Sequence, residues 1–176
     1  PAAAPAPDPR LAAVRALAER CGYDRAHTEQ VTRLALRLFD ALRPLHGLGA
    51  KERFWLECGA LLHDIGWCEG QQQHHKTALR IILDSALLPF DSRQRLLVGS
   101  IARYHRKAAP SERHEHFAAL AAADQQTVRV AAALLRVADA LDYTHRAVVA
   151  DVACAVTPER LELRCTVRGP FQEEPP

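Results

Sequence analysis

The chain has 176 residues, 48% of them hydrophobic and 25% charged, with a net charge of +2, the profile of one soluble domain large enough to bury a core. So small a charge argues against nucleic acid or an acidic membrane as a general partner. No apolar run is long enough to span a bilayer and no charged-then-apolar leader opens the chain, so the expected location is cytoplasmic.

Residues 1–8 are rich in proline and alanine and read as a linker or tail. Asp8 followed by Pro9 predicts an N-cap and a first helix to about Arg20, stopped by Gly22. Asp24 caps a second helix to about Leu45, in which His27, Val31, Leu34, Leu38 and Leu42 recur on one face. A third helix from about Lys51 turns Phe54, Cys58, Leu61 and Leu62 inward and delivers His63-Asp64 near its end. Gly66 and Gly70 bracket a polar loop, and a fourth helix begins near His75. Asp91 or Ser92 opens a fifth through Leu97, Ile101 and His105. A long helix is predicted from about Asp124 to Tyr143, with Val128, Leu135, Asp139 and Asp142 along one side.

Alternation then replaces the helical period. Val152, Cys154 and Val156, and then Leu161, Leu163, Cys165 and Val167, flank a turn at Thr157-Pro158-Glu159-Arg160, which predicts a β-hairpin. The expected fold is mainly α, a helical bundle closed by a small C-terminal β-hairpin, with one domain over 9–168 and a tail over 169–176. The chain has no methionine and both ends are proline-rich, as expected of a piece of a longer protein. Its five cysteines are odd in number and lack a CxxC pair. This argues against a disulfide framework or a zinc ribbon and predicts reduced, mostly buried thiols.

The chemistry lies in the histidines and aspartates. An imidazole and a carboxylate side by side at the end of an apolar helix are costly to half-bury, and a divalent metal is the strongest compensation. His63-Asp64 has company in His27, His74, His75, His105 and Asp139, nearly all beside helical apolar stripes. Singly, each has an ordinary alternative. His27 could be a hydrogen-bonded core histidine, Asp139 a partner for Arg136, and His105 plain helix-end charge. His46, His114, His116 and His145 are expected at the surface or in local hydrogen bonds. Jointly, the order His, His-Asp, His, His, Asp is hard to produce by packing alone and offers ligands for one ion or two. Mixed nitrogen and oxygen ligation suits manganese, iron, nickel, cobalt or zinc better than calcium.

The order His27, His63-Asp64, Asp139 resembles the HD superfamily of metal-dependent phosphohydrolases. The segments LLHDIG (61–66), HHK (74–76), ARYHRKA (102–108) and LLRVADALDYTHR (134–146) are similar to the C-terminal HD domain of the Ppx/GppA family, the exopolyphosphatases and guanosine pentaphosphate phosphatases. The resemblance runs from about Leu11 to Val167. It implies hydrolysis of a phosphate ester or anhydride at a metal held by His27, His63, Asp64 and Asp139. A second ion would be held by His105 with either His74 or His75. Asp64 is the expected catalytic group, bridging metals or orienting water, and Lys76, Arg103, Arg106 and Lys107 are the expected phosphate-binding cations.

Two departures stand out. Thr77 and Ala78 replace a histidine and serine common after HHK in that family, and the family's N-terminal actin-like phosphatase domain is not within these residues. The ligands, often degraded in true exopolyphosphatase C-terminal domains, are intact here, which favours a working centre. The expected partner is a phosphorylated small molecule or polyphosphate, with a homodimer or an N-terminal catalytic domain as protein partner. The alternatives are a non-catalytic accessory domain that binds polyphosphate or (p)ppGpp, and a purely structural helical unit.

Overall fold

A computed structural model describes residues 8–169; the proline-rich start and nearly all of the expected C-terminal tail lie outside them. The described residues form eight α-helices, a 3-10 helix and a two-stranded antiparallel hairpin. In chain order the helices are α1 (Pro9–Arg20), α2 (Arg25–Ala41), α3 (Arg43–His46) and α4 (Ala50–Leu61), then the 3-10 helix (Ile65–Glu69). There follow α5 (His74–Asp84), α6 (Ser92–Arg103), α7 (Glu115–Ala118) and α8 (Ala122–Leu141), and the hairpin strands β1 (Val149–Val156) and β2 (Leu161–Val167). None of these helices is long and apolar enough to cross a membrane.

Side-chain caps set the helix starts. Asp8 accepts from the Arg10 backbone N–H at 2.8 Å, and Asp24 from that of His27 at 3.1 Å. Asp91 and Gln94 form a reciprocal capping box, which satisfies donors that the first turn of a helix leaves free. Behind the caps, α2 packs against α4 and α8, and α6 packs against α4, α5 and α8. Leu34, Leu38, Leu56, Leu61, Ile101, Val128 and Leu135 form the dry interior they share. Close approach of α4 to α6 depends on Gly59, where an added Cβ would lie 2.5 Å from Cγ2 of Ile101.

Several boundaries differ from the expected ones, each for a local reason. α2 stops at Ala41 rather than about Leu45, because Pro44 has no N–H with which to continue the ladder; it starts the short α3 instead. α4 ends before His63-Asp64. There the His63 ring Nδ1–H donates to the Ala60 carbonyl at 2.7 Å while its backbone N–H reaches the same oxygen at 3.5 Å. α6 ends in the same way. His105 lies beyond Arg103, and its ring donates to the Ala102 carbonyl at 2.7 Å. In both places an imidazole takes a carbonyl that a longer helix would have used. α8 starts at Ala122, and Asp124 in its first turn is a buried partner of Arg93 at 2.6 and 2.7 Å.

The hairpin is antiparallel, with Val152 opposite Cys165 and Val156 opposite Leu161. Only its base is buried, through Val149 and Val152. It is tied to α2 by Gln30, which donates to the Val149 carbonyl at 2.6 Å, and by a two-pronged Arg37–Asp151 pair at 2.9 and 2.7 Å. All five cysteines are free, but the expectation that most are buried fails. Only Cys58 is buried; Cys68 on the 3-10 helix and Cys165 on the open face of the hairpin are exposed, and Cys21 and Cys154 are intermediate.

Candidate metal centre

Five helices end around one point. His27 lies in the first turn of α2, His63-Asp64 just past α4, His74 at the start of α5, His105 just past α6 and Asp139 in the last turn of α8. Asp64 is at the middle. Its Oδ2 faces Nε2 of His63 at 3.5 Å and Nε2 of His27 at 3.9 Å. Its Oδ1 faces Nε2 of His74 at 3.3 Å and Nε2 of His105 at 3.5 Å. Asp139 Oδ1 joins the first half, 3.3 Å from His27 Nε2 and 3.7 Å from His63 Nε2. The result is two donor groups, His27–His63–Asp64 and Asp64–His74–His105, sharing one carboxylate.

Whether these residues suit a metal is decided by their unused atoms. Nε2 of His27, His63 and His74 are buried and make no hydrogen bond; the short His27–Asp139 approach is an attraction of charge rather than an aligned bond. Buried polar atoms are rarely left so. The Nδ1 nitrogen of each of the four histidines is committed. Nδ1–H donates to Ala60 from His63, to Ala102 from His105, to Gln71 from His74 at 3.1 Å, and from His27 to the Asp142 carboxylate at 2.9 Å. A carbonyl can only accept, so in His63, His74 and His105 the proton sits on Nδ1 and the Nε2 lone pair points inward, the arrangement that metal-ligating histidines show. Donors bound to one ion at about 2.0–2.2 Å stand roughly 3.0–3.5 Å apart, close to the spacings found here. The donor set is therefore compatible with a divalent metal ion.

Electrostatics agree. Burial opposes ionisation of Asp64, yet the surrounding His63, His74 and His105 hold its carboxyl far below the usual range. Asp139 is lowered likewise, burial again being outweighed by His27, His63 and His105. Burial, with the neighbouring His63, pushes His105 down to about 3, which favours its neutral form. His27 differs: burial pulls it down, but Asp139 and Asp142 outweigh that and raise it to about 9. Without metal it carries a proton, which an entering ion must displace. Apparent affinity is therefore expected to rise about tenfold per pH unit up to about pH 9 and to level off above it. Titration of metal against a coloured chelator at several pH values checks this, and a flat profile would remove His27 from the ligand set.

His75, Lys76, Arg103 and Arg106 lie beside the centre. Of the two adjacent histidines it is His74 whose Nε2 faces Asp64. His75, also buried, sits edge-on to His74 with ring centroids 5.7 Å apart. Burial and the positive field of Arg103, His74, Arg106 and Lys76 push His75 down to about 4, which places those three cations around it. Arg103 is buried and its Nη1 has no partner. Among the described residues no carboxylate pairs with Lys76, Arg103, Arg106 or Lys107, and the Lys107 carbonyl accepts from Arg136 at 3.1 Å.

Two neighbours of the centre were not expected. Asp142, 2% exposed, orients His27 and also accepts from the Ala147 backbone N–H at 2.7 Å; its position three residues after Asp139, on the same helix face, was the available signal. His145 stacks flat on His27 with centroids 3.7 Å apart and bonds Asp24 at 3.0 Å. Nothing in the sequence separated it from His46 and His114, which make the local hydrogen bonds expected of them, to Phe39 and Tyr104.

A mainly α domain with a shared-carboxylate His/Asp centre defines a class, the HD-type helical domain. The match to a family model, Ppx/GppA phosphatase domain III, over residues 10–175 narrows it, and the chain belongs to that family. Among curated proteins, no sequence matches the chain.

Proposed function

We propose that this domain is a metal-dependent phosphohydrolase that cleaves a phosphate ester or anhydride, using one or two divalent transition ions. The observation that carries the reading is the Asp64 carboxylate, each of whose oxygens faces a different pair of imidazole Nε2 atoms. Divalent ions held there would lower the pKa of a bound water and polarise a phosphoryl oxygen. The chain's own residues supply the rest. The carbonyls of Ala60, Gln71 and Ala102 hold three of the rings in one tautomer, and with Asp142 they fix the orientation of all four. Arg103, Lys76 and Arg106 place unneutralised positive charge around His75, at the His74–His105 half, where a substrate phosphate would be bound. Asp64 is the group best placed to orient an attacking water.

Membership of a phosphatase family supports this reading, and so do the intact ligand positions. One observation favours a second reading. A buried guanidinium without an anion, at Arg103, would serve equally a domain that holds polyphosphate or (p)ppGpp for a catalytic partner. Phosphate release from p-nitrophenyl phosphate and from tripolyphosphate, assayed on manganese, iron, nickel, cobalt and zinc in turn, separates them. Metal-dependent turnover that a chelator abolishes is the expected result. Tight tripolyphosphate binding with no turnover on any of these ions would replace the enzyme by the accessory domain.

A further inference from the structure

Two thiols that the metal centre does not use meet beside it. A cavity opens next to the donor groups, with Cys21, Asp64, Trp67 and His145 among its walls. Cys21 ends α1, its backbone N–H donating to the Leu17 and Ala18 carbonyls at 3.1 Å. Cys68 follows Trp67 in the 3-10 helix and is exposed, while Cys21 is half-buried. The two thiols are within hydrogen-bonding reach of each other, although α2, α3 and α4 separate them along the chain. The other cysteines are placed differently. Cys58 is buried, and Cys154 and Cys165 sit on different rungs of the hairpin, opposite Leu163 and Val152. Close by in the chain, Gly22 and Gly70 face open space. The last adjustment to an S–S bond of about 2.05 Å therefore displaces no packed neighbour at either glycine.

We infer that Cys21 and Cys68 form a reversible disulfide, a clamp that fastens the end of α1 to the 3-10 helix beside the centre. The oxidant is a small-molecule disulfide. Cys68 releases its proton to solvent and its sulfur attacks, one half of the oxidant leaving as a thiolate and the other staying on Cys68 as a mixed disulfide. Cys21 then gives its proton to that thiolate, and its sulfur displaces the second half, which takes up a proton from solvent. Two protein thiols become one S–S bond, and the oxidant is reduced to two small thiols. The order follows from the surroundings. Burial above all, and then Cys68, pushes the Cys21 thiol up to about 11, so the exposed Cys68 is the better first nucleophile. The loop after Cys21 carries Asp24, which caps α2 at His27 and bonds His145. The 3-10 helix starts just after Asp64, and its Trp67 stacks on His74 with centroids 4.7 Å apart. The bond thus pins together the segments that present His27 and His74, and reduction frees them.

The test equilibrates the full chain with oxidised and reduced glutathione over a range of ratios. Oxidation is expected to join the tryptic peptide 21–25 to the peptide 54–76 through Cys68. It should also raise the melting temperature by about 5–10 °C, as closing a loop of this length implies, and slow amide hydrogen exchange over 21–24 and 65–70. Dithiothreitol should reverse all three changes. Cys68→Ser, at an exposed position outside the core, should show none of them. Cys21→Ser should instead stop at a mixed disulfide of Cys68 with glutathione. No link between Cys21 and Cys68 at any ratio would overturn the inference. So would a link that leaves either the melting temperature or exchange in these segments unchanged.

Discussion

Asp64→Ala is expected to strip metal from both donor groups at once, since each group contains a different oxygen of the same carboxylate. His105→Ala should empty only the half it shares with His74. Elemental analysis of the two variants beside the parent protein reads this directly, as loss of all bound metal against loss of part of it. Turnover in Asp64→Ala should fall by on the order of a thousandfold or more, matching the several kcal/mol that metal polarisation contributes to phosphoryl transfer. Helix content by circular dichroism should stay near that of the parent, because Asp64 lies in a turn after α4 and not within a helix. Metal retained in Asp64→Ala, or lost entirely in His105→Ala, would disprove the shared-carboxylate arrangement.

Gly66→Ala is expected to be among the most damaging substitutions outside the centre. A Cβ there would lie 1.9 Å from the His74 carbonyl oxygen, 2.7 Å from its carbon and 2.9 Å from the Ala78 nitrogen. All three are backbone atoms, which cannot swing aside as a side-chain tip can. The 3-10 helix would have to part from the start of α5, and His74 would move off Asp64. A loss of at least about 3 kcal/mol follows from overpacking against atoms that cannot yield, or about 6–12 °C in melting temperature for a domain of this size. Bound metal should drop with it, first from the His74–His105 half. A melting temperature within a degree of the parent's would show that the interface can give way after all.

The sequence carried much of this arrangement because period and capping are local signals. The stripe from Val31 to Leu42, the caps at Asp8, Asp24 and Asp91, and the alternation after Asp151 each bear on a few neighbouring residues. The candidate ligands were legible as a set because six chemically similar coincidences outweigh the ordinary reading of each. What stayed hidden depends on the third dimension. The choice between His74 and His75 turns on the first residue of α5, which follows a left-handed Gln73 at φ 56°. The role of His145 depends on its ring lying over a histidine far away in the chain. The sequence also placed His63-Asp64 and His105 within helices. The structure places them just outside, because an imidazole N–H can compete with the backbone for the last carbonyls of a helix.

The contact between His27 and Asp142 joins residues 115 positions apart, near the two ends of the helical part of the chain. An ion gripped by His27, Asp64 and Asp139 would be, in polymer terms, a cross-link closing most of the domain into a ring. Closing so long a loop removes more freedom from the unfolded chain than closing a short one, by an amount that grows as the logarithm of its length. The unfolded chain holds no such preformed site, so the free energy of binding the ion would be free energy of folding. Metal supply would then govern how long the folded domain persists, as well as what it can do.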